Sequence, residues 1–240
     1  MSQRLLVACL IASVALNAAL VYGTVSLTLA EQALRLDPFE LDHWAADPIA
    51  PFPPEGKKRV VIFGDSRARQ WSSPQGLAAF EFVNRGVGFQ TSAQVLGRFD
   101  SDVAALHPSI VVLQVGVNDL KATRAVRSAE RCRGNLTRLV ERSTAAGAHV
   151  VLSTIFSLGG LPWLRALYIP SETSQRIRQL NAALRTLASR DVSILDTQRI
   201  LDDADGQVRS EYRRDFLHLN AAGYQALNRA LLERVRDLAL

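Results

Sequence analysis

The chain holds only two cysteines and one methionine among its 240 residues, and the placing of the cysteines excludes a disulfide within its globular part. Cys9 lies inside a long apolar segment, and Cys132 stands alone beyond it. An oxidising compartment is therefore tolerated rather than exploited. Cys132 is surrounded by Arg131, Arg133 and Asn135 in a helical pattern, the setting of an inert helix residue rather than of a thiol nucleophile. Neither His-Glu-x-x-His nor Cys-x-x-Cys occurs, so no metal and no cofactor are expected. There is no lysine-rich block and no interleaving of basic and aromatic residues. The net charge of +5 comes from scattered arginines, which excludes a nucleic-acid binder and reads as a solvated, arginine-rich surface. Internal repeats and low-complexity tracts are absent as well, and one globular domain is the economical reading. Nothing in the chain sets an oligomeric state.

What is present begins with an apolar run. After Met1-Ser2-Gln3-Arg4, the stretch from Leu5 to Ala30 carries no charged residue. Its roughly 26 residues exceed what about 30 Å of hydrocarbon requires. A signal peptide has a shorter apolar region of about 7–15 residues, so length favours an uncleaved transmembrane anchor over residues 1–30. Thr28-Leu29-Ala30 would serve as the cleavage site in the alternative, a secreted form. Arg4 is the only charge near the short N-terminal side, which keeps that end in the cytoplasm and places the rest on the periplasmic or extracytoplasmic side. Leu6-Val7-Ala8-Cys9 has the outline of a lipid-attachment box, but the apolar run before the cysteine is too short and continues after it. Residues 31–58 contain Pro38, Pro48, Pro51, Pro53 and Pro54, show no sustained period, and read as a stalk.

From Arg59 onward the pattern becomes regular. Short apolar runs at Val60–Phe63, Phe82–Asn84, Ile110–Val115, His149–Thr154 and Val192–Leu195 predict strands. Helical spacing separates them. Val95, Leu96, Phe99, Val103 and Leu106 share one face, as do Ile177, Leu180, Leu184 and Leu187. A final helix is predicted through Tyr224, Leu227, Leu231, Val235 and Leu238, with Asn220 as its N-cap. Such alternation implies a mostly parallel five-stranded sheet covered by helices on both faces, over residues 59–240. Ligands in these sheets bind beyond the carboxyl ends of the strands.

The informative residues collect there. The first strand ends in Gly64-Asp65-Ser66, and the second is followed by Asn84-Arg85-Gly86-Val87-Gly88-Phe89-Gln90-Thr91. The third ends in Gly116-Val117-Asn118-Asp119, and Asp215-Phe216-Leu217-His218 precedes the last helix. A serine hydroxyl needs a base to take its proton, and imidazole suits that task near neutral pH. Asp215 lies three residues before His218, so one bend brings a carboxylate against the ring to hold its tautomer. Acyl transfer also needs donors for an oxyanion, and the Asn118 amide is placed to supply one. Asp119 and Asp196 read as strand-end caps. His107 and His149 read as structural, and His43 lies in the stalk.

Taken together, these blocks resemble the SGNH (GDSL-type) hydrolase superfamily. Its four markers look like Ser66, a glycine near Gly86–Phe89, Asn118 and His218, and the resemblance covers about residues 59–240. It implies a three-layer α/β/α, flavodoxin-like sandwich and a serine esterase. Ser66 would be the nucleophile, His218 the base and Asp215 its partner. The oxyanion hole would be the N–H of Ser66, a second-block N–H and the Asn118 side chain. No Gly-x-Ser-x-Gly elbow occurs. The chain departs from the family at one position, since gapless alignment puts Phe89 where the oxyanion glycine belongs and Gly88 one place earlier. Phe89 can donate its N–H if the loop does not require positive φ, and its ring would then close one side of the acyl pocket; alternatively the loop shifts and Gly88 donates.

The segment from Phe156 to Pro170 is long and apolar for a connector. It is either a wall or lid of the substrate pocket, with Trp163 on it and Trp71 across from it, or a short helix packed on the core. The substrate expected is a small-molecule, lipid or glycan ester. A lipid or short-acyl esterase, an O-acetyl esterase of envelope polysaccharide, and a catalytically silent module binding acylated glycans remain three readings, the last favoured by Phe89 alone.

Overall fold

A computed structural model of the chain describes residues 2–75, 77–121 and 128–238. The chain divides into two compact units, Met1–Leu41 and Asp42–Leu240. The first is dominated by α1 (Gln3–Leu36), 34 residues with none buried. At 1.5 Å per residue it is about 50 Å long, which fits a transmembrane anchor. The helix outlasts the apolar run expected to end at Ala30. Glu31 to Leu36 are good helix formers, Arg35 pairs with Glu31 at 2.7 Å, and termination waits for Asp37 and Pro38.

The second unit is built on one sheet of five parallel strands: β1 (Lys58–Gly64), β2 (Phe80–Gly86), β3 (Ile110–Gln114), β4 (His149–Ser153) and β5 (Val192–Leu195). Their order is β2-β1-β3-β4-β5, the flavodoxin-like arrangement. The intervening helices are α2 (Ser66–Arg69), α3 (Ser92–Gly97), α4 (Phe99–Asp102), α5 (Val117–Lys121), α6 (Ser128–Ala145), α7 (Trp163–Ala166), α8 (Thr173–Arg185), α9 (Thr197–Leu201) and α10 (Ala221–Asp237). Alternate residues of each strand feed two cores. Val61, Phe63, Val111 and Leu113 pack with Leu136, Leu139, Leu180 and Leu184. Val60, Ile62 and Val112 pack on the other face with Tyr224, Leu227 and Leu231. Burial of both faces is why the central strands β1, β3 and β4 read as continuous apolar runs.

Three expectations are corrected. The face from Val95 to Leu106 is not one helix but α3, α4 and a 3-10 turn, broken at Arg98, whose side chain is buried. The supposed stalk is partly domain. Buried Arg59 donates to the carbonyls of Ala50 (2.8 Å), Pro51 (2.9 Å) and Phe52 (3.0 Å), and Phe52 stacks on His107 at 4.4 Å. Proline cannot join a ladder, and one guanidinium with five donors satisfies the carbonyls instead. The third correction concerns charge. Arg59, Arg67 and Arg98 are fully buried rather than solvated, each holding backbone carbonyls in place.

Candidate active site

Register brings the informative loops to one level. Gly64 pairs with Gly86 on one side and with Gln114 on the other, so the chain leaves β1, β2 and β3 at the same edge of the sheet. This is also the point where strand order reverses, since β1 lies between β2 and β3. Gly64 is required there: a Cβ would lie 1.8 Å from the Gln114 carbonyl oxygen. Asp65 then caps α2, its carboxylate accepting from the Arg67 N–H at 2.9 Å, and Ser66 opens the helix half-buried.

Ser66 Oγ lies 3.1 Å from His218 Nε2, and His218 Nδ1 lies 2.9 Å from Asp215 Oδ2. The segment carrying the last two residues is a self-braced turn. Asp215 Oδ1 accepts from the N–H groups of Leu217 (2.7 Å) and His218 (2.8 Å). Partial burial would raise the Asp215 pKa, but the His218 ring and these two N–H groups outweigh it and hold the carboxyl down to about 2. His218 is shifted downward from the ordinary imidazole value, chiefly by burial, with the charges of Arg67 and Arg214 adding to it against the pull of Asp215. A neutral imidazole beside a hydroxyl, with an ionised carboxylate behind it, can accept the hydroxyl proton.

The second block is pinned at Gln90. The Asn118 amide donates to the Gln90 carbonyl at 2.9 Å, and the Gln90 side chain accepts from Arg98 Nε at 2.6 Å. The same Arg98 guanidinium donates to the carbonyls of Arg85 and Gly64, both at 2.7 Å. With its neighbour held this firmly, Phe89 adopts φ 64°. The expectation that Phe89 could avoid positive φ is therefore wrong. Phe89, not Gly88, occupies the left-handed position, and a bulky side chain there costs about 1–2 kcal/mol. Its ring stands 89% exposed beside the loop. One N–H of the Asn118 amide is engaged by Gln90, which leaves the second for another acceptor.

Trp71 does not face a pocket. It is fully buried, its indole N–H donating to Asn228 at 2.7 Å and its ring packed near Phe156 and Tyr224. The large apolar side chain expected at the rim fills the core instead. Trp163 is 74% exposed on α7. Asp119 caps α3 from outside, accepting the Ser92 N–H (2.9 Å) and hydroxyl (2.6 Å). Asp196 makes no cap hydrogen bond and pairs in bidentate fashion with Arg185, both contacts at 2.9 Å. His149 meets the Ser193 hydroxyl at 2.7 Å, and Cys132 is buried with its thiol pushed well above the ordinary range by burial.

Sequence reasoning missed Arg67 and Arg98. Arg67 Nε donates to the Leu217 carbonyl (3.0 Å) and its Nη1 to the Phe156 carbonyl (2.8 Å), while Tyr224 donates to the Arg67 carbonyl at 2.9 Å. Burial lowers the Arg67 pKa to about 10 and raises that of the neighbouring Asp65 to about 6, each partner opposing the other's shift. Arg67 follows the serine directly, which was the only available signal.

A hydrogen-bonded serine, histidine and aspartate at the carboxyl end of a parallel sheet, without a Gly-x-Ser-x-Gly elbow, is the architecture of the SGNH hydrolases. Residues 60–226 match the GDSL-like lipase/acylhydrolase family, and the chain belongs to it. Over 163 residues it is 27% identical to the human platelet-activating factor acetylhydrolase IB subunit alpha2, an alignment covering 65% of each chain; the protein thus spans 65% of that relative's length. It is 30% identical over 118 residues to the uncharacterized lipoprotein YqeF of Bacillus subtilis (strain 168), covering 41% of this chain and 49% of that one. The solved structure of a GDSL-like lipase from Bacteroides thetaiotaomicron VPI-5482 superposes with a TM-score of 0.71 at 24% identity, covering 84% of this chain and 99% of the other. It shares the fold.

Proposed function

We propose that the protein is an exported, membrane-tethered serine hydrolase that cleaves lipid or short-acyl carboxylic esters through an acyl-enzyme on Ser66. The observation that carries this reading is the 3.1 Å contact between Ser66 Oγ and His218 Nε2, backed by Asp215. His218 takes the hydroxyl proton as Ser66 attacks the ester carbonyl. The oxyanion is met by the N–H of Ser66, by a second-block N–H from Gly88 or from Phe89, which keeps its donor at φ 64°, and by the second N–H of the Asn118 amide. Collapse expels the alcohol, which receives the proton from His218, and leaves the acyl group on Ser66. Water, deprotonated by the same imidazole, then releases the carboxylic acid and restores the serine.

Two features favour a lipid or short-acyl ester over a glycan ester: the exposed Phe89 ring beside the oxyanion loop, and the exposed apolar turn at Trp163–Tyr168. The named activity of the human relative, an acetylhydrolase, points the same way. The length and apolarity of α1 support tethering, and Arg4 on its short N-terminal side supports a catalytic domain outside the cytoplasm.

The test is hydrolysis of a chromogenic ester series from acetyl to long chain. Ser66→Ala and His218→Ala should each lower turnover by about 10⁴ or more, and the double variant should be scarcely worse, since the residues act as a unit. A serine-directed phosphonate should label Ser66 and fail on His218→Ala. If no ester is cleaved and no label enters, the hydrolase reading falls and a silent acyl-glycan-binding module replaces it.

A further inference from the structure

The connection between β4 and α8 has ends and a tip of opposite character. Phe156, Leu158 and Ile169 are buried in the core. Between them, Trp163, Leu164, Leu167 and Tyr168 stand 74%, 55%, 69% and 54% exposed. Four large apolar side chains on one short turn form a patch that a solvated surface does not explain.

The patch borders the catalytic turn. The Gly159 N–H donates to the Phe216 carbonyl at 2.8 Å, and the Arg165 guanidinium lies 5.7 Å from the centre of the Phe216 ring. Phe216 sits between Asp215 and His218 in sequence, so the tip rises beside the residues that hold the imidazole. The charge around it is largely cationic. Arg165 is exposed, bonds the Tyr168 hydroxyl, and pairs with no carboxylate among the described residues. Arg214 is exposed on the adjoining turn, its one ion pair among the described residues being a 3.6 Å contact to Asp215. Lys121 is half-buried, and its burial, with the charges of Arg67 and Arg165 adding to it, lowers its pKa.

This composition selects an occupant. A second copy of the chain docked through this face would bring like charges together. An anionic bilayer surface satisfies every part: Trp and Tyr settle at headgroup depth, leucines enter the acyl boundary, and arginines meet phosphates. We propose that residues 162–168 form a lip that docks the catalytic domain on an anionic phospholipid surface and brings bilayer-resident acyl esters to Ser66. Delivery rests on the hydrolase reading; docking does not.

The test uses the full-length protein reconstituted in phosphatidylcholine vesicles with and without phosphatidylglycerol, the acyl chains brominated. Indole emission should be quenched more strongly with phosphatidylglycerol present, and Trp163→Phe should abolish that increment. The Leu164→Glu/Leu167→Glu variant should lose the increment too, and the ratio of its turnover on a bilayer-embedded ester to that on a soluble acetyl ester should fall ~10-fold. Equal quenching with and without the anionic lipid, or an increment that survives Trp163→Phe, overturns the docking surface. An unchanged ratio overturns delivery. A chain that is quenched as expected but cleaves no ester refutes the hydrolase reading and leaves docking supported.

Discussion

The Nε of Arg67 donates to the carbonyl of Leu217 at 3.0 Å, one residue before His218. The residue after Ser66 thus holds the residue before His218, although 150 positions separate them in sequence. The same side chain reaches Phe156, where the chain leaves β4. A buried cation joins the β1 turn, the Asp215–His218 turn and the base of the apolar lip.

Arg67 is a positioning residue, and its removal should show in the pH profile as well as in rate. Arg67→Met removes a charge that lowers the His218 pKa, so the acid limb of kcat/KM should move to higher pH. Turnover should fall by about 10–100-fold through mispositioning, with KM less affected. Stability should drop by about 2–4 kcal/mol, moderated because Asp65, already at about 6, can take up a proton. Arg67→Lys should not restore the rate, since an ammonium lacks the planar fork that reaches two carbonyls. A variant with the wild-type pH profile and rate would remove Arg67 from this role.

The oxyanion loop gives two separable outcomes. Asn118→Ala should lower kcat by about 10²–10³, because it removes a positioned donor. Phe89→Gly should raise stability by up to about 1 kcal/mol, since glycine accepts φ 64° without strain and the exposed ring leaves no core contact behind. If the ring lines the acyl path, its loss should also shift preference along the ester series. Thermal unfolding and the ester series measure the two effects independently, and a destabilised Phe89→Gly would contradict the strain account.

The working pH range follows from two groups. Asp215, held at about 2, stays ionised far below neutrality. His218 must be neutral to act as a base, and its pKa lies below the ordinary 6.5, so activity should rise with pH along a limb centred below that value. Arg214 contributes to the depression. Arg214→Gln should therefore move the limb upward, lowering activity on the acid side while leaving the plateau near wild type. Arg214 is half exposed, so added salt should shrink the shift. An acid limb above 6.5 in the wild type would overturn the assignment of His218.

Topology is open to a direct measurement. A reporter that is active only in the cytoplasm, fused after Leu240, should stay silent if Arg4 keeps the N-terminus inside. A strong cytoplasmic signal would reverse the orientation.

Much of this was legible in the chain before its fold. Strands buried on both faces are apolar nearly throughout, so β1, β3 and β4 announced themselves and the half-buried edge strands β2 and β5 less plainly, and the alternating helices then imply a parallel sheet with its site at the carboxyl ends. Ser66 and His218, which the fold brings within 3.1 Å, stood out in the chain because three short motifs in order carry information that none has alone. The length and apolarity of α1 were equally plain. Tertiary structure decided what composition cannot express. Apart from the place of Arg67 next to the serine, nothing in the chain separates Arg59, Arg67 and Arg98 from the arginines left in solvent, because a guanidinium is buried only where several carbonyls from distant segments converge on it. Trp71 and Trp163 are the same residue type in comparable apolar settings, yet one fills the core between sheet and α10 and the other stands exposed. Phe89 takes a backbone conformation its side chain disfavours because Asn118 and Arg98 hold Gln90, and that constraint exists only once β2, α3 and α5 have met.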